Sequence, residues 1–336
     1  MSTLDPPTGG EIVRPGPLFL ARNDIERLLK PDACAAAVES AFRQHASAQA
    51  AERILGLHAR DGSFHVKAGL LMGERPYFAA KVNANFPRNS EKFGLPTIQG
   101  LVILHDGVNG SPLAILDSIS ITALRTAAAT AIAAKHLARK NVESALICGC
   151  GAQAAAQARA ILGVRDIRRL YVFDKLHERA DAFAADYGAE LAIPIIPVDD
   201  FGRAVSQCDV VITCTTSRKF FITREMVRPG TLIAAVGADS EDKQEIDPSL
   251  LASATVVTDI TEQACTIGDS HHAIVGNFMT RAAIHAELGE IVTGMKPART
   301  TEDQIIVFDS TGTGLADVAA ALAAYRLACH GNLNVH

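Results

Sequence analysis

Apolar and polar positions along this chain follow two different periods, and the places where the period changes divide it. Residues 17–50 open with "LFL", an apolar run of strand length. "ARNDIERLL" follows, where Asn23 or Asp24 can cap a helix, and then "DACAAAVESAFRQHASAQA", whose apolar positions recur at helical spacing. From residue 54 to about 117 the texture shifts to short stretches, "SFHVKAG", "YFAAKVN", "IQGLVILHD" and "SPLAILD", broken by Gly, Pro and Asn. That pattern predicts an antiparallel sheet, with "DGVNG" as a hairpin turn. "ISITALRTAAATAIAAKHLAR" predicts a long helix, rich enough in Ala to pack closely and to act as a spine between two units.

From residue 141 strands and helices alternate. "SALICG", "RRLYVFD", "AIPIIPV", "DVVITCT", "TLIAAVG", "ATVVTD" and "QIIVFD" read as strands, with helices over 152–162, 176–187 and 199–206. Such alternation predicts an α/β fold with a doubly wound, parallel, Rossmann-type sheet. The tail, "GLADVAAALAAYRLACHG", is helical again and either returns to the first unit or lies on a partner subunit. No internal repeat is visible.

Composition narrows the classes. With 336 residues, 48% of them hydrophobic, the chain can build two cooperating units. A net charge of -5 with scattered Lys and Arg argues against a nucleic-acid partner, and no apolar run reaches the length of a bilayer span. Seven cysteines without regular spacing point away from a disulfide framework and toward a reducing cytoplasm. Cys148 and Cys150 are too close together for the usual metal-ligand pair, so no metal is expected. "MSTLDPPTGGEIVRPG" reads as a flexible lead-in rather than a signal peptide.

The clearest chemistry sits at "ALICGCGAQAAAQARAIL". Gly149, Gly151 and Ala154 match a phosphate-binding turn between a strand and a helix, and the next strand ends on Asp174, where a carboxylate can accept both ribose hydroxyls of a dinucleotide. Asp174 would repel a 2′-phosphate, which favours NAD, while Lys175 and Arg179 leave NADP open. Lys81 and Arg125 are cations in stretches whose pattern predicts burial, and buried cations need an anion. Alone, each reads more readily as a structural ion pair; with Arg53 they make up a possible carboxylate clamp.

Over residues 17–325 the sequence resembles the ornithine cyclodeaminase and mu-crystallin superfamily, which also contains alanine dehydrogenases and cyclic ketimine reductases. The resemblance rests on "ITALRTAAATAIAAKHLARK" ahead of "GCGAQ", on "AAKVNANFPRN", on "VGADSEDKQEID" and on "FDSTGTGLAD". It implies an α+β substrate-binding and dimerisation domain at 1–135, rejoined by 315–336, an NAD-binding domain at 136–314, and a homodimer. It puts the substrate carboxylate on Arg53, Lys81 and Arg125, and makes Asp239 the acid or base beside the reacting nitrogen, with Lys81 as the second catalytic group. It assigns the cofactor to Thr97, Gly149, Gly151, Ala152, Gln153, Asp174, Thr215, Val236, Gly237, Lys243 and Ser310. Asp239 also follows the apolar strand "TLIAAVG", at the edge where open parallel sheets bind ligands.

The chain departs from the cyclodeaminase pattern at "SFHVKAG". His65 stands where cyclodeaminases carry a glutamate near the substrate amine, and Lys67 stands where they carry a methionine. Both changes disfavour a distal ammonium. The expected activity is therefore reduction of a cyclic ketimine amino acid. Ornithine cyclodeamination with bound NAD+, an alanine-dehydrogenase-like activity and non-catalytic ligand binding are the alternatives.

Overall fold

The chain folds around two sheets joined by one long helix. The structure, a computed structural model, describes residues 16–330; the N-terminal lead-in and the end of the tail, 331–336, lie outside the described residues. The first part runs β1 (Leu18–Leu20), α1 (Arg22–Leu28), α2 (Pro31–Ala46), β2 (Ala50–Ala59), β3 (Gly62–Leu71), β4 (Tyr77–Asn85), α3 (Asn89–Phe93), β5 (Ile98–Asp106) and β6 (Pro112–Asp117). These strands form one sheet in the order β1-β6-β5-β4-β3-β2, antiparallel except for the β1–β6 pair.

Two expectations need correcting here. Helix α1 is capped at Ala21, before both Asn23 and Asp24. Asp24 sits inside the first turn, where its carboxylate accepts the Ala21 N–H at 3.1 Å and satisfies an otherwise orphaned donor. Helix α2 stops at Ala46, and Ala50–Ala59 is the edge strand β2, where the sequence pattern carries the helix to Ala50 and begins the sheet region at 54 without marking this strand. Its apolar positions point to a solvent-exposed face, so the inside–outside alternation that marks a strand is missing there.

Register sorts the sheet into two faces. Gly69, Leu71, Tyr77, Ala79, Lys81, Val102 and Leu104 face the helices and are buried. The opposite face carries rows such as Leu55–Val66–Val82–Leu101, and its apolar side chains are exposed: 53% for Leu55, 52% for Leu101. Helix α4 (Ser118–Leu137), capped by Asp117 accepting the Ile119 and Ser120 N–H groups at 3.0 and 3.3 Å, is buried along most of its Ala-rich length.

The second part runs β7 (Ser144–Cys148), α5 (Ala154–Val164), β8 (Arg169–Phe173), α6 (His177–Leu191), β9 (Ile195–Pro197), α7 (Phe201–Gln207), β10 (Val210–Thr213), β11 (Arg218–Ile222), β12 (Leu232–Ala235), β13 (Gln244–Ile246), α8 (Pro248–Ser253), β14 (Thr255–Thr258), α9 (Thr261–Ile267), α10 (Asp269–Val275), β15 (Ala286–Glu287), α11 (Leu288–Thr293) and β16 (Ile306–Asp309). Eight of these strands pair in parallel in the order β15-β14-β16-β12-β10-β7-β8-β9, while β11 and β13 form a separate small sheet. Strands β7, β10, β12 and β16 are buried at every position, as a sheet covered on both faces requires. The order reverses at β7, so the glycine turn after it opens at a topological switch point. Helix α12 (Gly314–His330) then crosses back to lie along β3 and β4.

Candidate active site

Lys81 of the first sheet and Arg125 of α4 converge on a residue from the last helix. Lys67 and Lys81 are opposite each other in the β3–β4 register, and Arg125 reaches the same place from α4; all three are buried. Lys81 Nζ and Arg125 Nε both donate to Asp317 Oδ1, at 2.8 and 3.0 Å, and Lys81 Nζ also donates to Thr122 Oγ1 at 3.3 Å. Asp317 Oδ2 is buried without a hydrogen-bond partner. No hydrogen bond from the terminal nitrogens of Arg125 falls on a described residue. Breaking such a buried pair by removing Asp317 would cost about 3–5 kcal/mol, because two cations would lose their anion.

Burial and then the Arg125 charge push the Lys81 pKa down to about 7, with Asp317 opposing them. The same two causes lower Lys67. Asp317 is raised by burial, but Lys81 and Arg125 outweigh that, and it stays below the usual carboxylate range. Lys67 Nζ donates to the carbonyls of Thr311 and Gly312, at 2.9 and 2.6 Å. Gly312 has φ +75°, and a Cβ there would overlap Arg125 Nη1, so the loop can press on the guanidinium only with glycine at this position.

Asp239 lies just beyond β12, beside the end of the parallel sheet. Lys243 Nζ pairs with its Oδ1 at 2.5 Å. The carboxylate has protein around it yet its side chain remains 54% exposed. The surrounding protein raises its pKa, but Lys243, Lys67 and His65 more than offset this and hold it ionised. His65, bonded through Nε2 to Ser63 Oγ at 2.7 Å, is lowered chiefly by burial, with Asp239 opposing. Asp239 therefore acts electrostatically on the face of the first sheet that carries His65 and Lys67.

The glycine turn follows β7. Gly149 has φ +99° and donates its N–H to Phe173 O at 2.8 Å, which turns the chain sharply out of the sheet. Gly151 has nothing within 4 Å of the position a Cβ would take, so the turn keeps an open cradle in front of α5. Ala152 is exposed there; Gln153 is the first flanking residue of α5, and its buried Oε1 has no partner. Asp174, at the end of β8, is fixed by two backbone donors, Cys150 N–H at 2.9 Å and Leu176 N–H at 3.0 Å. Thr215, Val236, Gly237 and Ser310 follow the neighbouring strands β10, β12 and β16 at the same end of the sheet.

Two of the residues singled out from the sequence stand apart from these groups. Arg53 pairs with Ala68 in the β2–β3 register, one residue out of phase with Lys67, so it belongs to the opposite face of the sheet; it is exposed and donates to Glu52 O at 2.7 Å. Thr97 is exposed just before β5, where its carbonyl accepts the Phe86 N–H at 2.8 Å. Two residues were missed. Asp317 could have been found by the reasoning that singled out Lys81, as a charge inside an apolar helical run. Glu52, whose Oε2 accepts the Leu315 N–H at 3.3 Å and whose pKa is raised to about 7 by burial and by Asp259, carries no comparable signal on an edge strand.

The profile of the ornithine cyclodeaminase/mu-crystallin family matches residues 16–332. The chain belongs to this family. Among solved relatives, an archaeal alanine dehydrogenase, described as a dimer with bound NAD, is 36% identical with a TM-score of 0.89, over 94% of this chain and 97% of that one. Δ1-Pyrroline-2-carboxylate reductase of Thermococcus litoralis, solved with NADH and L-proline, is 31% identical with a TM-score of 0.90, over 94% and 98%. Iminosuccinate reductase of Paracoccus denitrificans, solved with NAD+, is 32% identical with a TM-score of 0.88, over 94% and 97%. Within the ornithine cyclodeaminase/mu-crystallin fold, the first sheet thus carries a buried cationic cluster and the parallel sheet an open glycine turn. Among the described residues, no helix is long and apolar enough to cross a membrane.

Proposed function

We propose that this protein is an NAD-dependent reductase of a cyclic ketimine amino acid, converting Δ1-pyrroline-2-carboxylate or Δ1-piperideine-2-carboxylate to L-proline or L-pipecolate. The observation that carries this reading is a pair of buried cations on one carboxylate: Lys81 and Arg125 both donate to Asp317 Oδ1, and the terminal nitrogens of Arg125 make no hydrogen bond to a described residue. A buried guanidinium end without a partner calls for an anionic ligand. One substrate carboxylate, received by the free end of the Arg125 guanidinium and by Lys81, meets that need. Ornithine would bring a second ammonium. At about 4 Å from one of these cations and an effective dielectric of about 20, that ammonium would cost about 4 kcal/mol, which is why cyclodeamination ranks second.

The open cradle at Gly149 and Gly151, the dipole of α5 behind it and the fixed carboxylate of Asp174 support a dinucleotide here, its pyrophosphate at the turn and its ribose hydroxyls on Asp174. Held there, NADH would supply the hydride for C2 of the imine. The chain's own part is electrostatic and geometric. Arg125 and Lys81 hold the carboxylate, which fixes the plane of the C=N bond. Asp239, ionised, favours the protonated iminium, a far better hydride acceptor than the neutral imine.

The same reading assigns 1–135 and 315–336 to substrate binding and dimerisation, and 136–314 to the cofactor. The exposed apolar face of the first sheet supports a homodimer, and seven unpaired thiols support a cytoplasmic setting.

The test pairs two assays. Purified protein should consume NADH with either cyclic imine and release little ammonia from L-ornithine with NAD+. Asp239→Asn should bind NADH as the parent does while turnover drops about a hundred- to ten-thousand-fold. Stoichiometric ammonia and proline from ornithine would overturn the reductase reading, and near-normal turnover in the variant would remove Asp239 from the mechanism.

A further inference from the structure

A run of four buried carboxylates, Glu245, Asp269, Asp309 and Asp259, connects the ends of the strands that carry the cofactor turns with the loop that presses on Arg125. Each is at most 1% exposed, and among the described residues none has a cation within ion-pair distance. Glu245 Oε1 accepts the Thr215 N–H and Oγ1, both at 2.7 Å. Its Oε2 accepts Thr213 Oγ1 at 2.6 Å and the Gly237 N–H at 2.9 Å. The N–H groups of Glu245 and Ile246 donate to Asp269 Oδ1 at 2.7 and 2.9 Å. Those of Asp269 and Ser270 donate to Asp309 Oδ1 and Oδ2 at 3.2 and 2.8 Å. The Asp259 N–H donates to Asp309 O at 3.3 Å.

Asp259 repeats the arrangement of Glu245. Its Oδ1 accepts the Ile260 N–H at 2.8 Å and Thr311 Oγ1 at 3.2 Å, and its Oδ2 accepts the Gly312 N–H at 2.7 Å and Ser310 Oγ at 3.0 Å. The loop so held, 310–312, is the one that receives Lys67 Nζ and whose Gly312 lies against Arg125. Burying four carboxylates without a cation is expensive. The donors to Glu245 and Asp259 sit at or just beyond the ends of β10, β12, β14 and β16, on the ligand-binding side of the sheet, while those to Asp269 and Asp309 lie in β13 and at the start of α10.

We propose that Glu245 and Asp259 are positioning residues at the two ends of one buried acidic spine. Glu245 sets the turns after β10 and β12 that receive the cofactor, Asp259 sets the 310–312 loop and through it Arg125, and Asp269 and Asp309 keep the two at a fixed separation. The assignment rests on the imine reductase reading above.

An amide cannot replace either end. On each carboxylate one oxygen faces a backbone N–H and so does the other: Thr215 and Gly237 for Glu245, Ile260 and Gly312 for Asp259. Backbone donors cannot turn round, so the NH2 of Gln or Asn must confront one of them, and a contact to a ligand-side segment is lost.

The test uses the full-length protein, with NADH affinity read from nucleotide fluorescence and with KM and kcat for the cyclic imine read at saturating NADH. Glu245→Gln should weaken NADH by about tenfold or more, the scale of one lost charged hydrogen bond, and leave the imine KM nearly as in the parent. Asp259→Asn should do the reverse, raising the imine KM and sparing NADH affinity. Should either variant fail to fold, Thr213→Val and Thr311→Val each remove one hydroxyl donor without burying an amide, and should give the same split at a few-fold. Lower thermal stability with NADH affinity and imine KM both unchanged would overturn the proposal, as would equal losses in both quantities from both ends. A parent that binds NADH but reduces no imine would instead sink the function reading, and the NADH arm at Glu245 would still decide the cofactor half of the spine.

Discussion

Burial and the Arg125 charge bring the Lys81 ammonium to about 7, so near neutrality this side chain exchanges between a cation and a neutral amine. Only the cation can pair with a substrate carboxylate. In the free enzyme, kcat/KM for the imine should therefore fall as pH rises through about 7, while kcat holds to higher pH because the bound carboxylate raises the lysine's pKa again. Lys81→Arg keeps its charge over the whole range and should lose that fall. Glu52 is also brought to about 7, so Glu52→Gln is the control: if it abolishes the fall and Lys81→Arg does not, the titrating group is the glutamate. The shift also has a stability sign. Between about 7 and 10.5 the unfolded chain binds the Lys81 proton and the folded chain does not, so this group's contribution to stability rises with pH across that window. Lys81 and Arg125 were visible in the sequence because a cation in an apolar run is conspicuous. Their orientation toward Asp317, 236 and 192 residues away, is a tertiary fact that no local pattern encodes.

At the scale of elements, β7, the glycine turn and α5 were the most legible part of the chain. A strand buried on both faces is written as an unbroken apolar run, and the turn needs glycine for steric reasons. Strand β2 was hidden for the opposite reason: Leu55 and Leu57 are apolar but exposed, so its pattern does not tell inside from outside. The short elements β11, β13 and α8 to α11 are held by the carboxylate spine and by packing rather than by their own periodicity, which elements of three to seven residues are too short to display. The β8 end carries a testable consequence. Because Cys150 and Leu176 N–H groups fix both oxygens of Asp174, the carboxylate cannot swing aside to admit a 2′-phosphate. NADH should bind more tightly than NADPH, by about tenfold for each 1.4 kcal/mol of repulsion, and Asp174→Asn should narrow the gap. Dissociation constants for the two nucleotides measured on both proteins decide it, and a parent that prefers NADPH would take this role away from Asp174.

For the whole molecule, the most telling surface is the one that leaves apolar side chains in water. On the outer face of the first sheet, Phe19, Leu55, Leu57, Phe64, Val82, Leu101 and Ile103 are each exposed by more than a third, in rows that run from strand to strand. A monomer would leave this face to water, at about 25 cal/mol for each Å² of apolar surface that a partner could cover. A flat sheet face is most simply covered by its own copy across a two-fold axis, since each row then meets an equivalent row. The protein should sediment as a dimer at micromolar concentration. Leu101→Lys places an ammonium in the middle of the face, next to Val82 in the register, where burial against a partner would leave it unpaired. The side chain is already exposed within the subunit, so the fold should survive while the dimer dissociates or weakens by orders of magnitude. Sedimentation velocity on parent and variant, with circular dichroism as the check on folding, separates the outcomes. A parent that is monomeric, or a variant that dimerises as strongly as the parent, would move the interface away from this sheet.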